Sequence, residues 1–295
     1  MRILRRLCIR MNKTVYQIIN IIVLFVTLAI FMYGYKTAAL RMTGYQGGYL
    51  VILFAVVVIV NIIKAVRFYF ILAGDAVITR GEFIKQYCKT VPVSVLLPLK
   101  SGELFRIFCY GHQIRNMFMG VVYVILDRFF DTIALLVLIG IITFTTGQQL
   151  SIIAVILIAF VLLALVLFFV FPKICEYWKK YLLVKKATES TLKYLKTVSI
   201  VEKVCKKIQD VIRGKGAIVF FMSFVAWMTE LFGAYIIDRL YIGKADSGFF
   251  ENYLLSAIGT RTSSQLDAFV IGTIVVLIIC YVVMWVGGRV NGGVK

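Results

Sequence analysis

Residues 150–171, LSIIAVILIAFVLLALVLFFVF, form an apolar run without a charged side chain. An α-helix needs about 20 such residues to cross the hydrocarbon core of a bilayer. The whole chain has 295 residues, of which 61% are hydrophobic and 16% charged, well below the roughly 25% charged residues of a soluble domain. The sequence therefore predicts an all-α, polytopic helical membrane protein that forms a single transmembrane domain over residues 1–295. The remaining full spans are expected, with uncertain ends, at about 15–34, 48–71, 117–144, 217–240 and 268–287.

Two further segments, at about 83–99 and 252–266, are too short or too polar for ordinary crossings. Basic residues cluster at the N-terminus and in residues 173–216, where twelve basic residues stand against four acidic ones. Both stretches, and the C-terminus, are expected on the cytoplasmic side of a cell membrane. Six full spans satisfy this if 83–99 is re-entrant from the cytoplasmic side and 252–266 from the outer side, a pattern that suits an inverted repeat. Two full crossings in their place are the alternative.

The formal net charge of +19 lies mainly between the apolar runs. This placement predicts orientation signals and contacts with anionic lipid, and no nucleic-acid partner. Within 173–216, apolar residues recur every three or four positions from Leu192 to Val211, which predicts an amphipathic helix. Such a helix either lies on the anionic leaflet or docks a protein partner, and the sequence leaves both open.

Soluble catalytic signatures do not occur in the sequence. The six cysteines are scattered without a CxxC motif, and His112 is the single histidine, so we expect reduced thiols, no metal and no cofactor. A nucleotide-binding domain is not expected either, so transport would proceed without ATP. The first apolar run continues to about Met32 without a small-residue cleavage site, which predicts an uncleaved first span. We expect a protein that is not an enzyme.

Residues 96–106, LLPLKSGELFR, place a proline and three charges inside apolar surroundings. Prolines at 92 and 98 predict a broken helix, which survives at membrane depth only inside protein or beside a wet cavity. Ser101 can cap a new helix with Glu103 in its first turn, and Lys100 lies beside that helix end. Backbone N–H groups and nearby cations favour an anion site there. Arg106 can pair with Glu103 or bind a lipid phosphate bidentately.

Three charges, Asp127, Arg128 and Asp131, fall inside the predicted third full span, each at a cost of about 2.5–3.5 kcal/mol at a helix centre. They predict a cluster that faces the bundle interior. It either neutralises itself through an Arg128–Asp131 pair or lines a substrate path. Glu230 is a further candidate cavity residue, whereas Asp238 is expected at the interface. Residues 256–267, SAIGTRTSSQLD, could break a helix or form an external loop.

Taken together, LLPLKSGELFR and the later VILDRFFDTIAL at 124–135 resemble the transmembrane domain of lysylphosphatidylglycerol synthases and flippases. The matching positions, with an upstream arginine in KAVRFYFILAGD, are Arg67, Pro98, Lys100, Gly102, Glu103, Arg106, Arg128 and Asp131. The resemblance covers about 64–140. Members usually carry a PGGLG-type segment in the second half, and here SAIGTRTSSQLD stands in its place, without proline. The family's aminoacyl-transferase domain is not expected.

The resemblance implies a stand-alone flippase-like protein that moves an anionic phospholipid or glycolipid headgroup between leaflets. Its headgroup-binding residues would be Lys100, Glu103, Arg106, Asp127, Arg128, Asp131 and Glu230. One alternative is a membrane accessory that presents a lipid to a glycosyl- or aminoacyl-transferase, a lipid-modifying partner that would dock on 173–216. Another is a proton-coupled small-solute carrier that uses Asp127, Asp131 and Glu230.

Overall fold

The computed structural model describes residues 13–36, 47–73, 78–97, 101–147, 151–184, 189–243, 249–257 and 264–292. Across these ranges the chain forms nine α-helices, one π-helical turn and no strand. The helices are α1 (Lys13–Gly34), α2 (Gly47–Leu72), α3 (Arg80–Leu96), α4 (Ser101–Gln113), α5 (Met117–Thr146), α6 (Ile152–Val184), α7 (Glu189–Ile237), α8 (Phe249–Ala257) and α9 (Ser264–Gly292). The all-α fold class is thereby confirmed.

Among the described helices, six are long and apolar enough to cross a bilayer: α1, α2, α5, α6, α7 and α9. They coincide with the six predicted spans, so the chain is a multi-pass membrane protein. Their ends differ most in the basic segment. Residues 173–216 were expected as a loop that contains a helix, but α6 continues to Val184 and α7 begins at Glu189. Most of this segment is therefore helical, because Pro172 lies inside α6 without ending it, and residues 185–188 lie outside the described residues.

A helical hairpin, α3 and α4, occupies the first short polar segment. Helix α3 begins with a capping box in which Thr79 Oγ1 accepts from Glu82 N while Glu82 Oε2 accepts from Thr79 N. It contains Pro92 and ends at Leu96, where the sequence predicted a break. A Cβ atom added at Gly102 would overlap the α3 backbone at Ser94, so α4 packs directly against α3. Pro98 and Lys100 lie outside the described residues.

The chain divides into two compact units. The first comprises Met1–Val124 and Val225–Lys295, and the second Ile125–Phe224. In the first unit, α2 packs closely on α7 and α9, since a Cβ atom at Gly233 or Gly272 would press on valine side chains of α2. Asn61 Nδ2 also donates to Thr273 Oγ1 at 3.3 Å. Helix α8 ends at Ala257 and α9 begins at Ser264, and residues 258–263 of the predicted 252–266 segment lie outside the described residues.

The second unit contains the C-terminal part of α5, all of α6 and the N-terminal part of α7. The rings of Phe129 on α5 and Phe168 on α6 lie with their centroids 5.6 Å apart. Gln209 Nε2 of α7 donates to the Phe168 carbonyl oxygen at 2.9 Å. Toward their connection, α6 and α7 are joined by two ion pairs, Lys179 with the buried Glu202 and Glu176 with Lys206. These contacts give the unit an antiparallel helical hairpin with basic ends.

Candidate lipid-headgroup site

Arg106 is the most deeply buried cation of the α3–α4 hairpin, with only 2% of its surface exposed. Helix α4 begins at Ser101, so Glu103 lies in its first turn and Arg106 one turn later on the same face. Arg106 Nη1 lies 3.5 Å from Glu103 Oε2. Its guanidinium carbon lies 4.5 Å from the ring centroid of Phe68 on α2. Stacking on one face and an ion pair on one edge fix the plane of the guanidinium.

Aromatic side chains line the surroundings of this arginine. Phe68 meets Tyr110 edge to face at 4.9 Å and tilts against Phe83 at 6.1 Å. The residue before Phe68 is Arg67, which is also buried. Two guanidinium groups from α2 and α4 are thus buried in the same unit, in an environment of low polarity where an anionic group is strongly stabilised.

Helix α1 contacts the outer side of the hairpin. The Tyr16 ring stacks on His112 with centroids 4.2 Å apart, and Cys109 Sγ donates to Asn20 Oδ1 at 3.7 Å. Lys89 lies over the Tyr16 ring at 5.2 Å. Sequence reasoning did not select Lys89, although a lysine in a segment expected at membrane depth was a usable signal.

The α5 charges belong to the second unit. Asp127 is buried, as expected for a residue that faces the interior of a bundle. Arg128 Nη1 lies 3.9 Å from Asp131 Oδ2, but the Arg128 side chain is 43% exposed. The expectation that all three charges face inward therefore holds for Asp127 and fails for Arg128. At 3.9 Å the two charged groups attract each other, but the distance is too long for a direct hydrogen bond between these atoms.

Glu230 is paired within the first unit. Its Oε2 lies 2.8 Å from Lys64 Nζ, and its Oε1 accepts from Tyr253 OH at 3.1 Å. Lys64 also lies over the Trp227 ring, 5.2 Å from the centroid. The network joins α2, α7 and α8, and sequence reasoning missed Lys64 and Tyr253. Lys64 could have been found, because it is a charged residue inside an otherwise apolar span. No pattern in the sequence indicated that Tyr253 would reach Glu230.

Asp238 was expected at the membrane interface, and its depth in the membrane stays a prediction. Its surface is fully buried, at the start of a π-helical turn over Asp238–Ile242. The turn closes when the Gly243 N–H donates to the Asp238 carbonyl oxygen at 2.8 Å. The neighbouring Arg239 is exposed and donates to Tyr235 OH.

The chemical capacity of these groups is anion binding and charge pairing. Guanidinium groups match the geometry of a phosphate with two parallel hydrogen bonds. Within the described part of the chain, His, Cys, Asp and Glu side chains form no group of three that could hold a metal ion. Long apolar helices with charged side chains buried among them define a polytopic α-helical membrane protein.

The chain belongs to the family described as the lysylphosphatidylglycerol synthase TM region, whose model matches residues 17–240. The match is wider than the 64–140 over which the motifs were recognised, and it ends before SAIGTRTSSQLD. Comparisons with curated proteins and with solved structures found no match. The chain is thus a membrane protein of a lipid-related family.

Proposed function

We propose that this protein translocates the headgroup of an anionic phospholipid or glycolipid between leaflets, without ATP and without a covalent step. The observation that carries the proposal is Arg106, a cation that is 2% exposed and held in place by Phe68 and Glu103. A charged side chain within a membrane-spanning domain is costly to bury and is by default a candidate functional residue. The family match supports a role in lipid handling.

The physical task of a translocator is to replace the hydration of a headgroup inside the bilayer. Transfer of an ionised phosphate into hydrocarbon has a prohibitive desolvation cost. Arg106 would bind the phosphate with two parallel hydrogen bonds. Glu103 would orient the guanidinium and pair with it again after the phosphate leaves. In the second unit, Arg128, with Asp127 and Asp131 beside it, would offer a further guanidinium to an anionic headgroup. The basic helix ends would face the cytoplasm.

The test is lipid exchange by the purified full chain in vesicles that contain fluorescent phosphatidylglycerol. Dithionite bleaches the outer leaflet, so the slow phase reports translocation. We expect exchange with the wild type, a loss of at least about tenfold with Arg106→Ala, and partial activity with Arg106→Lys, since lysine keeps the charge but loses the bidentate geometry. Circular dichroism shows whether each variant folds.

Arg239→Ala is the matched control, because Arg239 is an exposed arginine of the same unit. It should exchange lipid at the wild-type rate. Full activity of a folded Arg106→Ala protein would refute the assignment of the site. An inactive wild-type chain in vesicles would refute the proposed function itself.

An accessory role has its own support in the basic hairpin of α6 and α7. Beyond Pro172, α6 exposes three aromatic side chains, Tyr177, Trp178 and Tyr181, next to Lys180. Exposed aromatic residues among cations are typical of contact surfaces. Under this second proposal the hairpin docks a lipid-modifying transferase, and the purified chain moves no lipid by itself. The exchange assay therefore separates the two proposals.

A further inference from the structure

The depth of the α5 charges follows from the register of α5 against α6. Helix α5 ends at Thr146 and α6 begins at Ile152, so a short connection joins them. Phe129 lies 17 residues before Thr146 (146 − 129), and Phe168 lies 16 residues after Ile152 (168 − 152). Their rings are in contact, with centroids 5.6 Å apart. The two helices therefore run antiparallel, and residues equally far from the connection lie at the same level.

The apolar run of α6 measures that level. From Ile152 to Phe171 it contains 20 residues (171 − 152 + 1), which at about 1.5 Å per residue equal the roughly 30 Å thickness of the hydrocarbon core. It ends at Lys173. Asp127 lies 19 residues before Thr146 (146 − 127). Asp127 and its neighbours are therefore level with the end of the apolar run, one full hydrocarbon thickness from the α5–α6 connection.

Helix α7 gives a second measure of the same level. A Cβ atom added at Gly216 would lie 3.4 Å from Phe130 Cζ, directly beside the charged turn of α5. The guanidinium carbon of Arg213 lies 5.9 Å from the Phe169 ring centroid. Lys215 is the last basic residue before the apolar part of α7. Helices α6 and α7, the two neighbours of α5, thus both change from apolar to basic sequence near the level of Phe130 along the helix axes.

The N-terminal part of α5 is apolar and lies within the span expected at about 117–144. The structure gives a different reason for its composition. Val122, Tyr123 and Leu126 are at most 1% exposed, so the protein itself buries one face of this part, while Phe118 and Ile125 are exposed on α5. Burial in protein favours apolar side chains as strongly as lipid does. The 30-residue length of α5 therefore exceeds the membrane thickness, and its excess lies before Asp127.

We propose that Asp127, Arg128 and Asp131 lie at the headgroup level of the leaflet next to the basic helix ends, where Arg128 receives the phosphate of an anionic lipid. Arg213 and Lys173 are exposed at the same level and add positive charge. The acidic groups there are Asp127, Asp131 and the exposed Asp210. The depth of these three charges does not depend on the proposed function. The role of Arg128 as the point where the lipid enters rests on the proposed function.

Spin labels at Ile125 and Val137 test the depth. Both side chains are exposed on α5, and each lies six residues from Asp131 (131 − 125 and 137 − 131). If the charges lay at the bilayer centre, the two labels would be equally deep. The proposal instead places position 137 near the centre and position 125 among the headgroups. We expect high accessibility to a water-soluble nickel reagent at 125 and high accessibility to oxygen at 137.

Labelled wild-type protein provides the background, because the described cysteines are largely buried: Cys88, Cys109, Cys175 and Cys205 are buried and Cys280 is partly buried. Equal depth at the two positions would overturn the proposal whatever the translocation rate. If the two positions differ in depth but the protein translocates no lipid, the proposed depth of the charges is supported and the proposed function is refuted.

The lipid contact is tested by the preference of the protein for spin-labelled phosphatidylglycerol over phosphatidylcholine. Arg128→Ala and Arg213→Ala should each lower this preference about fivefold, the effect of one cation at a membrane surface. Lys196→Ala removes the same charge from α7 farther from the membrane and should leave the preference unchanged. An unchanged preference in Arg128→Ala would overturn the phosphate assignment.

Discussion

Lys64 Nζ lies 2.8 Å from Glu230 Oε2, between two spanning helices that are far apart in the chain. The carboxylate is 4% exposed and the lysine side chain 25%. Tyr253 OH donates to the other carboxylate oxygen at 3.1 Å. In this arrangement each charge compensates the other, and α8 is joined to α2 and α7 through one carboxylate.

Removal of one partner of this pair should destabilise the protein strongly. Glu230→Gln leaves the ammonium of Lys64 without its counter-ion, with an expected loss of about 3 kcal/mol in the free energy of unfolding. The double variant with Lys64→Met should recover much of the loss, because no lone charge then remains. Unfolding in mixed detergent micelles, followed by circular dichroism, measures both. Glu251→Gln on α8 is the control, expected within about 1 kcal/mol of wild type. Equal losses in the single and double variants would show that the pair is not coupled.

The close approach of α3 and α4 depends on the absence of a side chain at Gly102. An added Cβ atom would overlap Ser94 Cα and lie 2.5 Å from the Val93 carbonyl oxygen. Gly102→Ala should therefore cost about 1–3 kcal/mol through overpacking, despite the higher helix propensity of alanine. Gly81→Ala in α3 meets no atom within 4 Å and should leave stability unchanged or raise it slightly. Thermal unfolding of both variants compares them, and a stable Gly102→Ala protein would contradict the observed packing.

Glu202 should hold the basic ends of α6 and α7 together. It is buried and contacts Lys179 on α6, and its Oε1 lies 2.7 Å from Lys206 Nζ. Glu202→Gln leaves the ammonium groups of Lys179 and Lys206 beside a neutral amide, so the hairpin should open more often and limited trypsin digestion should accelerate severalfold near Lys179. Glu176→Gln removes an exposed partner of Lys206 and should change the digestion rate little. Equal digestion rates in the two variants would argue against this role of Glu202.

The sequence could predict the parts of the fold that depend on local pattern. Apolar runs located the six spans, and i to i+3 spacing anticipated that Glu103 could pair with Arg106. Long-range pairs were beyond reach, because nothing in a single sequence connects Lys64 with Glu230, 166 positions later. The re-entrant orientation and the cytoplasmic placement of the termini stay predictions.

The depth of the α5 charges in the membrane is a second feature that could not be predicted from the sequence alone. Apolar composition at 117–126 is identical whether lipid or protein surrounds it, so a hydropathy pattern centres the span on the whole apolar segment. The contact between Phe129 and Phe168 separates the two cases, since it ties α5 to a helix whose own apolar run has the length of one membrane crossing. Tertiary contacts supplied the information that composition lacked.

Lipid exchange should be independent of a proton gradient if Glu230 has a structural role. The carboxylate is neutralised by Lys64 and bonded to Tyr253, so it has no need to bind and release a proton in each cycle. In vesicles with equal or different pH inside and outside, the wild-type chain should exchange fluorescent lipid at the same rate. A folded Lys64→Met/Glu230→Gln protein should retain that rate within about twofold, since neither side chain binds cargo in the proposed mechanism. Exchange that accelerates with the gradient in the wild type, and loses this dependence in the double variant, would support a proton-coupled carrier instead.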